Sequence, residues 1–445
     1  MRDLLGEQPI AYEAIRAWLM MSGGGMHLLT GPAGTGKSFL LIDIADFMKT
    51  RGKVIITSPT HKSLRVLKKF IGSGYIYSTI HSALGMKEFI DHDGVLSFRR
   101  DAMSGCPADN YTHIIVDEAS MLDDTIFNEL VSMSDQGKKV LFVGDPFQIP
   151  PVNHENALPF DKDTQIEFNI GVSRLETVLR QALQSPILAY ATNIRADIRK
   201  PIQILNPQGV QVSQGSLFFI KQAEKLAFFQ DKILPLYKSS NYERDLDFIK
   251  VIAWRNDTVN KFNKIIREFL FGENLPKIIV GDKLIMDAPV IEDRKILIST
   301  NEETEVLKVE IDYEVLSEDY TLKYYKTDVR VYEEGIFNQY RLRIIHEDSE
   351  KVFNKLCQLQ VALAKSYPKG SFQAKSSWVD LYAFKESWHQ TKYSYCLTGH
   401  KSQASTYENA VVLAYDIFTN RNTYEANRIY YTSVTRPSRN LYIVH

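Results

Sequence analysis

Cysteine is scarce in this chain: Cys106, Cys357 and Cys396 are the only three in 445 residues, far apart and in no C-x-x-C spacing. That excludes a disulfide framework and a cysteine-built zinc site, and it fits a reducing compartment. No apolar run reaches the length of a membrane-spanning helix. Residues 1–20 carry acids and Gln8 where a leader would carry a basic end followed by an apolar stretch, so a cytoplasmic protein without membrane contact is expected. Charge of one sign is lacking as well. With 53 Lys plus Arg against 54 Asp plus Glu, the overall field favours no polyanion, and any nucleic-acid contact must come from local clusters. Repeats and low-complexity tracts are absent. What remains is ordinary for a globular protein, 44% hydrophobic and 24% charged, in a length that suggests about two to four domains.

Against this plain background stands "LLTGPAGTGKSFLL", with G-x-x-x-x-G-K-S running from Gly31 to Ser38. "MHLLT" reads as a buried strand, "GPAGTGK" as a turn with φ > 0 positions, and "SFLLIDIADFMK" as a helix. This order builds a phosphate cradle from Gly31, Pro32, Ala33, Gly34, Thr35 and Gly36. Their backbone N–H groups converge on phosphate oxygens, Lys37 reaches the β/γ oxygens of ATP, and Ser38 holds Mg²⁺. Downstream, "THIIVDEASM" places apolar residues just before Asp117 and Glu118, as a buried parallel strand ending at a crevice would. Asp117 is the expected partner of the Mg²⁺ shell and Glu118 the group that polarises the attacking water. A third strand, "KVLFVGDPFQIPPV", ends near Asp145 and Gln148, whose amide is placed at the γ-phosphate. The nearest candidate for guanine recognition by an N-K-x-D loop, "NKFN" from Asn260 to Asn263, has Asn where Asp is required, so a GTP switch is discounted. No second phosphate loop follows, and a second α/β domain would contribute from outside, through an arginine. Arg180 in "LETVLRQ" and Arg436 in "YYTSVTRP" are the candidates; alone, either reads sooner as a surface charge.

Short hydroxyl and imidazole groups recur after apolar runs: Pro59, Thr60, His61 and Lys62 in "SPTHKS", Thr79 and His81 in "STIHS", and Thr398, His400, Lys401 and Ser402 in "TGHKSQ". Such groups bond a sugar-phosphate backbone without reading bases. Trp254 and Asn256 in "VIAWRN" offer a base platform, with plain core as the alternative for the indole. "GMKEFIDHDGVLSFRRD" alternates on both sides of Asp93-Gly94 and reads as a β-hairpin. From about Asp282 to Tyr393, alternating stretches and then the run "SEKVFNKLCQLQVALAKSYP" suggest an antiparallel barrel followed by a helical projection.

In order, "EQPIAYEAI", "GPAGTGKS", "SPTHKS", "STIHSALG", "IIVDEASM", "GDPFQIPPV", "LETVLRQ", "AWRNDTVNKFNKIIRE", "GDKLIM", "LTGHKSQAST" and "YYTSVTRP" resemble the successive motifs of superfamily-one helicases of the RecD branch, over nearly the whole chain. The resemblance implies an α/β protein with two RecA-like parallel-sheet motor domains, at 1–84 with 107–172 and at 173–283 with 392–445. A hairpin pin would occupy 85–106, and a small β-barrel with a helical arm 284–391. It implies an ATP-driven motor on single-stranded DNA and its junctions with duplex, moving 5′ to 3′, with a monomer sufficient. Gln8 matches the adenine-recognising glutamine, and Arg180 and Arg436 match the two arginines supplied by the second motor domain. The pin would separate strands through Phe98, with Phe89 as the other aromatic. The arm would steady the pin through the "SSWVDLYAFKESW" face with Trp378, Tyr382 and Trp388. One position departs: where the family carries glycine in H-K-x-Q-G, this chain has Ala404. An alanine there costs roughly 1 kcal/mol if the backbone needs φ > 0. The rival reading is a DNA-stimulated ATPase that remodels or loads protein–DNA complexes without processive unwinding.

Overall fold

The computed structural model describes residues 2–91, 95–100, 105–151, 154–179, 184–204, 209–213, 215–292, 295–333 and 336–445. Arg180 and the expected hairpin turn at Asp93-Gly94 lie outside them. The chain divides into two compact units: residues 1–87, 100–259 and 397–445 form one, and residues 88–99 and 260–396 the other.

The first unit holds two six-stranded sheets. In the first, the strands run in the order Ile76–Thr79, Val54–Ser58, His113–Val116, Lys139–Gly144, Gly25–Thr30, Gly171–Arg174, and every pairing is parallel. Its strands are apolar on both faces because helices cover both. Along Lys139–Gly144, Val140 and Phe142 enter one core, with Phe127, Leu130 and Met133 of the helix Asp124–Asp135. Leu141 and Val143 enter the opposite one, with Ile15 and Trp18 of Gln8–Met20 and Leu40, Leu41, Ile44 and Met48 of Lys37–Arg51. Strand alternation thus feeds two cores from one strand. The second sheet has the order Cys396–Thr398, Ile249–Ala253, Tyr407–Leu413, Pro437–Val444, Gly215–Ile220, Val210–Val212. It is parallel at its centre with an antiparallel edge. Beneath it lie the helices Pro186–Ala196 and Thr423–Val434, which bury Ile187, Ala191, Ile429, Tyr430 and Val434. The α/β class expected from the sequence is what folds.

The second unit contains a five-stranded sheet in the order Ile336–Ile345, Thr321–Glu333, Glu303–Val315, Lys283–Met286, Thr391–Tyr393, antiparallel throughout, and a two-stranded ribbon, Val290–Glu292 with Lys295–Ile298. The expected barrel falls on this sheet and ribbon, and among the described ladders none joins the two edge strands. Two helices, Glu350–Ser366 and Phe372–Glu386, form the expected projection and pack through Ala364, Trp378 and Leu381. Ile90, at the end of the hairpin strand Met86–Ile90, lies against this same cluster, and the Lys375 ammonium stands 5.6 Å from the Phe89 ring centroid. Trp378 therefore does face the hairpin. Trp388 does not; it joins Leu322, Tyr324 and Ile345 at the base of the sheet, with the Arg343 guanidinium 4.2 Å from its ring centroid.

Candidate active site and strand track

The phosphate loop leaves the strand Gly25–Thr30 and enters the helix Lys37–Arg51. Gly34 and Gly36 adopt φ of 84° and 79°, as the turn requires. Gly31 has no positive φ and is there for a different reason: a Cβ at Gly31 would stand 2.6 Å from the Leu175 carbonyl oxygen. Thr35 donates its hydroxyl to the Pro32 carbonyl at 2.9 Å, and the Lys37 ammonium donates to the carbonyls of Gly31 and Pro32, the latter at 3.0 Å. Ser38 is exposed in the first helical turn. Gln8 is buried beneath the loop. Its Nε2 donates to the carbonyls of Thr35 and Gly36 at 3.1 and 3.3 Å, and its Oε1 accepts from the Leu5 N–H. The residue expected to read adenine therefore also braces the cradle.

Asp117 and Glu118 follow the fully buried strand His113–Val116. Glu118 adopts φ 52° and ψ 40°, a left-handed conformation that is uncommon for a residue with a Cβ. Strain of this kind gathers at functional sites. Burial pushes the Asp117 carboxyl well above the ordinary carboxylate range, with the Glu118 charge adding to the effect. Burial raises Glu118 too, opposed by the positive charges of Arg436 and Lys37. Arg436, from the second sheet, is thus close enough for its field to be felt at Glu118. It is 7% exposed and held by the Thr432 carbonyl at 2.9 Å, the Ser405 carbonyl at 3.3 Å and the Thr435 hydroxyl at 3.2 Å. Gln148 is buried, and its Oε1 has no hydrogen-bond partner among the described residues. Amide ends left unsatisfied in a protein interior are costly unless a ligand meets them.

The three threonines of the expected DNA track share one geometry. Thr60, Thr79 and Thr398 accept hydrogen bonds from the N–H groups of Ser63, Ser82 and Lys401 at 3.2, 3.3 and 3.2 Å. Each hydroxyl caps a turn through its oxygen, and that of Thr60 also meets the Ser63 hydroxyl at 2.8 Å. His61 and His400 are exposed, Pro59, His81 and Lys401 are half-buried, and Ser402 is buried with its hydroxyl on the Gly399 carbonyl at 2.8 Å. Trp254 is half-buried against the second core, a compromise between platform and packing. Its N–H and that of Arg255 donate to Asp416 at 2.9 Å each, which leaves Asn256 exposed at the start of its helix. Ala404 has φ 58°, the left-handed conformation glycine accommodates without cost. Ala404→Gly is therefore expected to raise the unfolding free energy by about 1 kcal/mol, the penalty of a Cβ in this region less the entropy glycine adds to the unfolded chain. Urea denaturation checks this, and an unchanged or lower midpoint would contradict it.

Some working parts escape sequence reading. Arg428 donates to the carbonyls of Gln148, Pro146 and Glu155. Tyr431 donates to Asp145 at 2.8 Å, and the Thr432 hydroxyl accepts from the Ile149 N–H at 3.2 Å. All three lie on the helix Thr423–Val434, where the motif "YYTSVTRP" points only to Arg436.

Comparison with known proteins follows the same lines. A family model described as an AAA domain matches residues 8–213. The ATP-dependent DNA helicase dda of Enterobacteria phage T4 is 25% identical over 434 residues, which cover 94% of this chain and 93% of that protein. The ATP-dependent RecD2 DNA helicase of Deinococcus radiodurans is 34% identical over 172 residues, 38% of this chain and 22% of that one. Among solved structures, Pif1 helicase from Candida albicans is similar at 15% identity and a TM-score of 0.49, covering 100% of this chain and 95% of its own. The phosphate loop, the acidic pair and the second-sheet arginine lie in one unit, and over nearly its whole length the chain is similar to the ATP-dependent DNA helicase dda.

Proposed function

We propose that the protein is an ATP-dependent DNA helicase that moves along single-stranded DNA and opens duplexes at their junctions. The observation that carries this reading is the contact between the phosphate loop and the helix that leads into Arg436: the Asp145 carboxylate accepts from the Ala33 N–H at 3.1 Å and from the Tyr431 hydroxyl at 2.8 Å, and the positive charges of Lys37 and Arg436 both favour the charged form of Glu118. A triphosphate in the Gly31 to Ser38 cradle adds an anion between the two cations, so its presence favours their approach and its cleavage relaxes it. Glu118 takes the proton of the attacking water, Gln148 meets the terminal phosphate with its unsatisfied amide, and Gln8 keeps acceptor capacity on Oε1 for the adenine amino group. Arg180 is assigned the same arginine role as Arg436. The two sheets serve as the motor domains, 1–84 with 107–172 and 173–283 with 392–445; 85–106 is the pin and 284–391 the insertion that braces it.

Mg²⁺ fits the residues present. Ser38 and Asp117 are oxygen donors, and the burial of Asp117 disfavours its charge until a cation offsets it. No cluster of three His, Cys, Asp or Glu side chains suited to a metal occurs among the described residues. This suits an ion that draws most of its oxygens from phosphates and water. When bound, Mg²⁺ neutralises charge on the phosphates. ATP turnover should therefore show an acid limb set by the raised carboxyls of Asp117 and Glu118, and more Mg²⁺ should move that limb to lower pH. A pH–rate profile at two Mg²⁺ concentrations tests this, and a limb indifferent to the ion would contradict the assignment of Asp117.

The strand runs over Pro59, Thr60, His61, Thr79 and His81 on one sheet and Thr398, His400, Lys401 and Ser402 on the other, with Trp254 and Asn256 beside it. Capped helix starts present N–H groups and hydroxyl protons to phosphates in a sequence-independent manner. At the pin, Phe98 is 41% and Phe89 38% exposed, and the Arg99 guanidinium stands 4.7 Å from the Phe89 ring centroid. Phe98→Ala is expected to leave ATPase stimulated by single strands within about twofold while lowering unwinding about tenfold. Equal losses in both would remove Phe98 from strand separation. Unwinding of duplexes bearing a 5′ or a 3′ single-stranded overhang tests the function and its direction; the reading expects activity on the 5′ overhang, and none on either would overturn it.

A further inference from the structure

We propose that Tyr431 is a positioning residue of the ATPase cycle, whose phenol acts through Asp145 to tie the phosphate loop to the helix that leads into Arg436. This rests on the reading of the chain as an ATP-hydrolysing motor and adds a link that none of the sequence motifs assigns.

The geometry is specific. Asp145 follows the strand Lys139–Gly144 and is 1% exposed, as is Tyr431. One carboxylate oxygen, Oδ2, accepts from the Tyr431 hydroxyl at 2.8 Å and from the Ala33 N–H of the phosphate loop at 3.1 Å. The other, Oδ1, accepts from the Phe147 N–H at 2.9 Å. The Ala33 N–H also lies 3.3 Å from the Tyr431 oxygen, which closes a triangle between loop, carboxylate and phenol. Burial and the Asp145 charge push the Tyr431 phenol far up, so it stays protonated and serves as a donor. Bonds to a carboxylate are among the stronger neutral-donor hydrogen bonds, and a buried one has little water to compete with it.

The position of this triangle gives it a role. Tyr431 sits on the helix Thr423–Val434, five residues before Arg436. The same helix grips the loop after Asp145 through Arg428 and through the Thr432 hydroxyl on Ile149. The Arg428 guanidinium and the Thr432 hydroxyl reach that loop and not the phosphate loop among the described hydrogen bonds. Tyr431 alone, among the described hydrogen bonds, connects this helix to the phosphate loop itself. A shift of Ala33 when phosphate enters or leaves is therefore passed through Asp145 to the element that aims Arg436. Without the phenol the two sheets keep their docking contacts, but the loop no longer reports to the arginine.

Tyr431→Phe removes the hydroxyl and keeps the ring, which stands edge-on to Phe147 at 6.0 Å. In the full-length protein with saturating oligo-dT, kcat for ATP hydrolysis should fall about tenfold or more, the consequence of losing one charge-assisted bond at the transition state. KM for ATP should stay within about threefold, because uniform nucleotide binding is not what is lost. Asp145→Asn approaches the same link from the other end and should lower kcat similarly, and the double variant should be no slower than the slower single one. Full kcat in Tyr431→Phe, a change confined to KM, or additive losses in the double variant would each overturn the proposal. The parent and Lys37→Ala measured alongside separate this outcome from the broader reading. If the parent shows DNA-stimulated turnover that Lys37→Ala abolishes, the motor stands whatever Tyr431→Phe does; if the parent shows none, the motor fails and this link fails with it.

Discussion

Glu118→Gln is expected to lower the kcat of DNA-stimulated ATP hydrolysis by about 10²- to 10⁴-fold, the span a positioned general base contributes. The amide keeps the shape of the side chain and removes its ability to take a proton. The carboxylate is poised between opposing forces, since burial raises it while Arg436 and Lys37 draw it back. That balance favours a base that is ionised when the cations converge and less so when they separate. A second effect follows from the same raised carboxyl. A carboxyl that holds its proton more tightly in the folded chain than in the unfolded one makes the fold less stable as pH rises from the unfolded value through the folded one. Glu118→Gln should therefore melt higher than the parent at pH 8, by about 2 to 4 °C for each kcal/mol recovered, and the difference should vanish near pH 4 where both states are protonated. Turnover within tenfold of the parent would remove Glu118 from the chemistry; an equal melting temperature at pH 8 would remove the electrostatic account of its raised carboxyl.

Arg436→Ala carries the other large effect, a loss of about 10³- to 10⁵-fold in kcat, which is what an arginine brought to a transferring phosphoryl group supplies. Its guanidinium is fixed by Thr432, Ser405 and Thr435, all on the second sheet's side, and it projects its charge to a carboxylate of the first sheet. Arg436→Lys should rescue little, because a lysine cannot reproduce the planar fork that satisfies two carbonyls and still faces the phosphate. Nucleotide binding, read from a fluorescent ATP analogue, should survive both changes. A loss of binding with kcat intact would make Arg436 a ligand contact rather than a contributor to the transition state.

How far the sequence carries this account varies by residue. The phosphate loop and the acidic pair are legible because their chemistry demands residue types in fixed spacing next to a strand. The left-handed Ala404 was foreseeable from the same logic, since a glycine position filled by alanine raises the question of φ, and the structure answers with 58°. For other residues the structure shows work that the pattern does not record. Gly31 yields to the Leu175 carbonyl rather than to a turn, and Gln8 spends its donors on Thr35 and Gly36. The hydroxyls of the track threonines each accept an N–H of the turn that follows them. Trp388 was placed at the hairpin because its segment also carries Trp378, yet the helix Phe372–Glu386 ends between them and sends the two indoles to different cores. The contacts of Arg428, Tyr431 and Asp416 had no signal at all. Each pairs with residues more than 150 positions away, and nothing in a local pattern records a partner so distant.

Hydrolysis of ATP with and without a single-stranded oligonucleotide, in the parent and in Lys37→Ala, tests the coupling of nucleotide to strand most directly. Turnover that rises by at least about tenfold with the oligonucleotide, and that disappears in Lys37→Ala while the oligonucleotide still binds, is the predicted result. Turnover indifferent to DNA would contradict the motor outright.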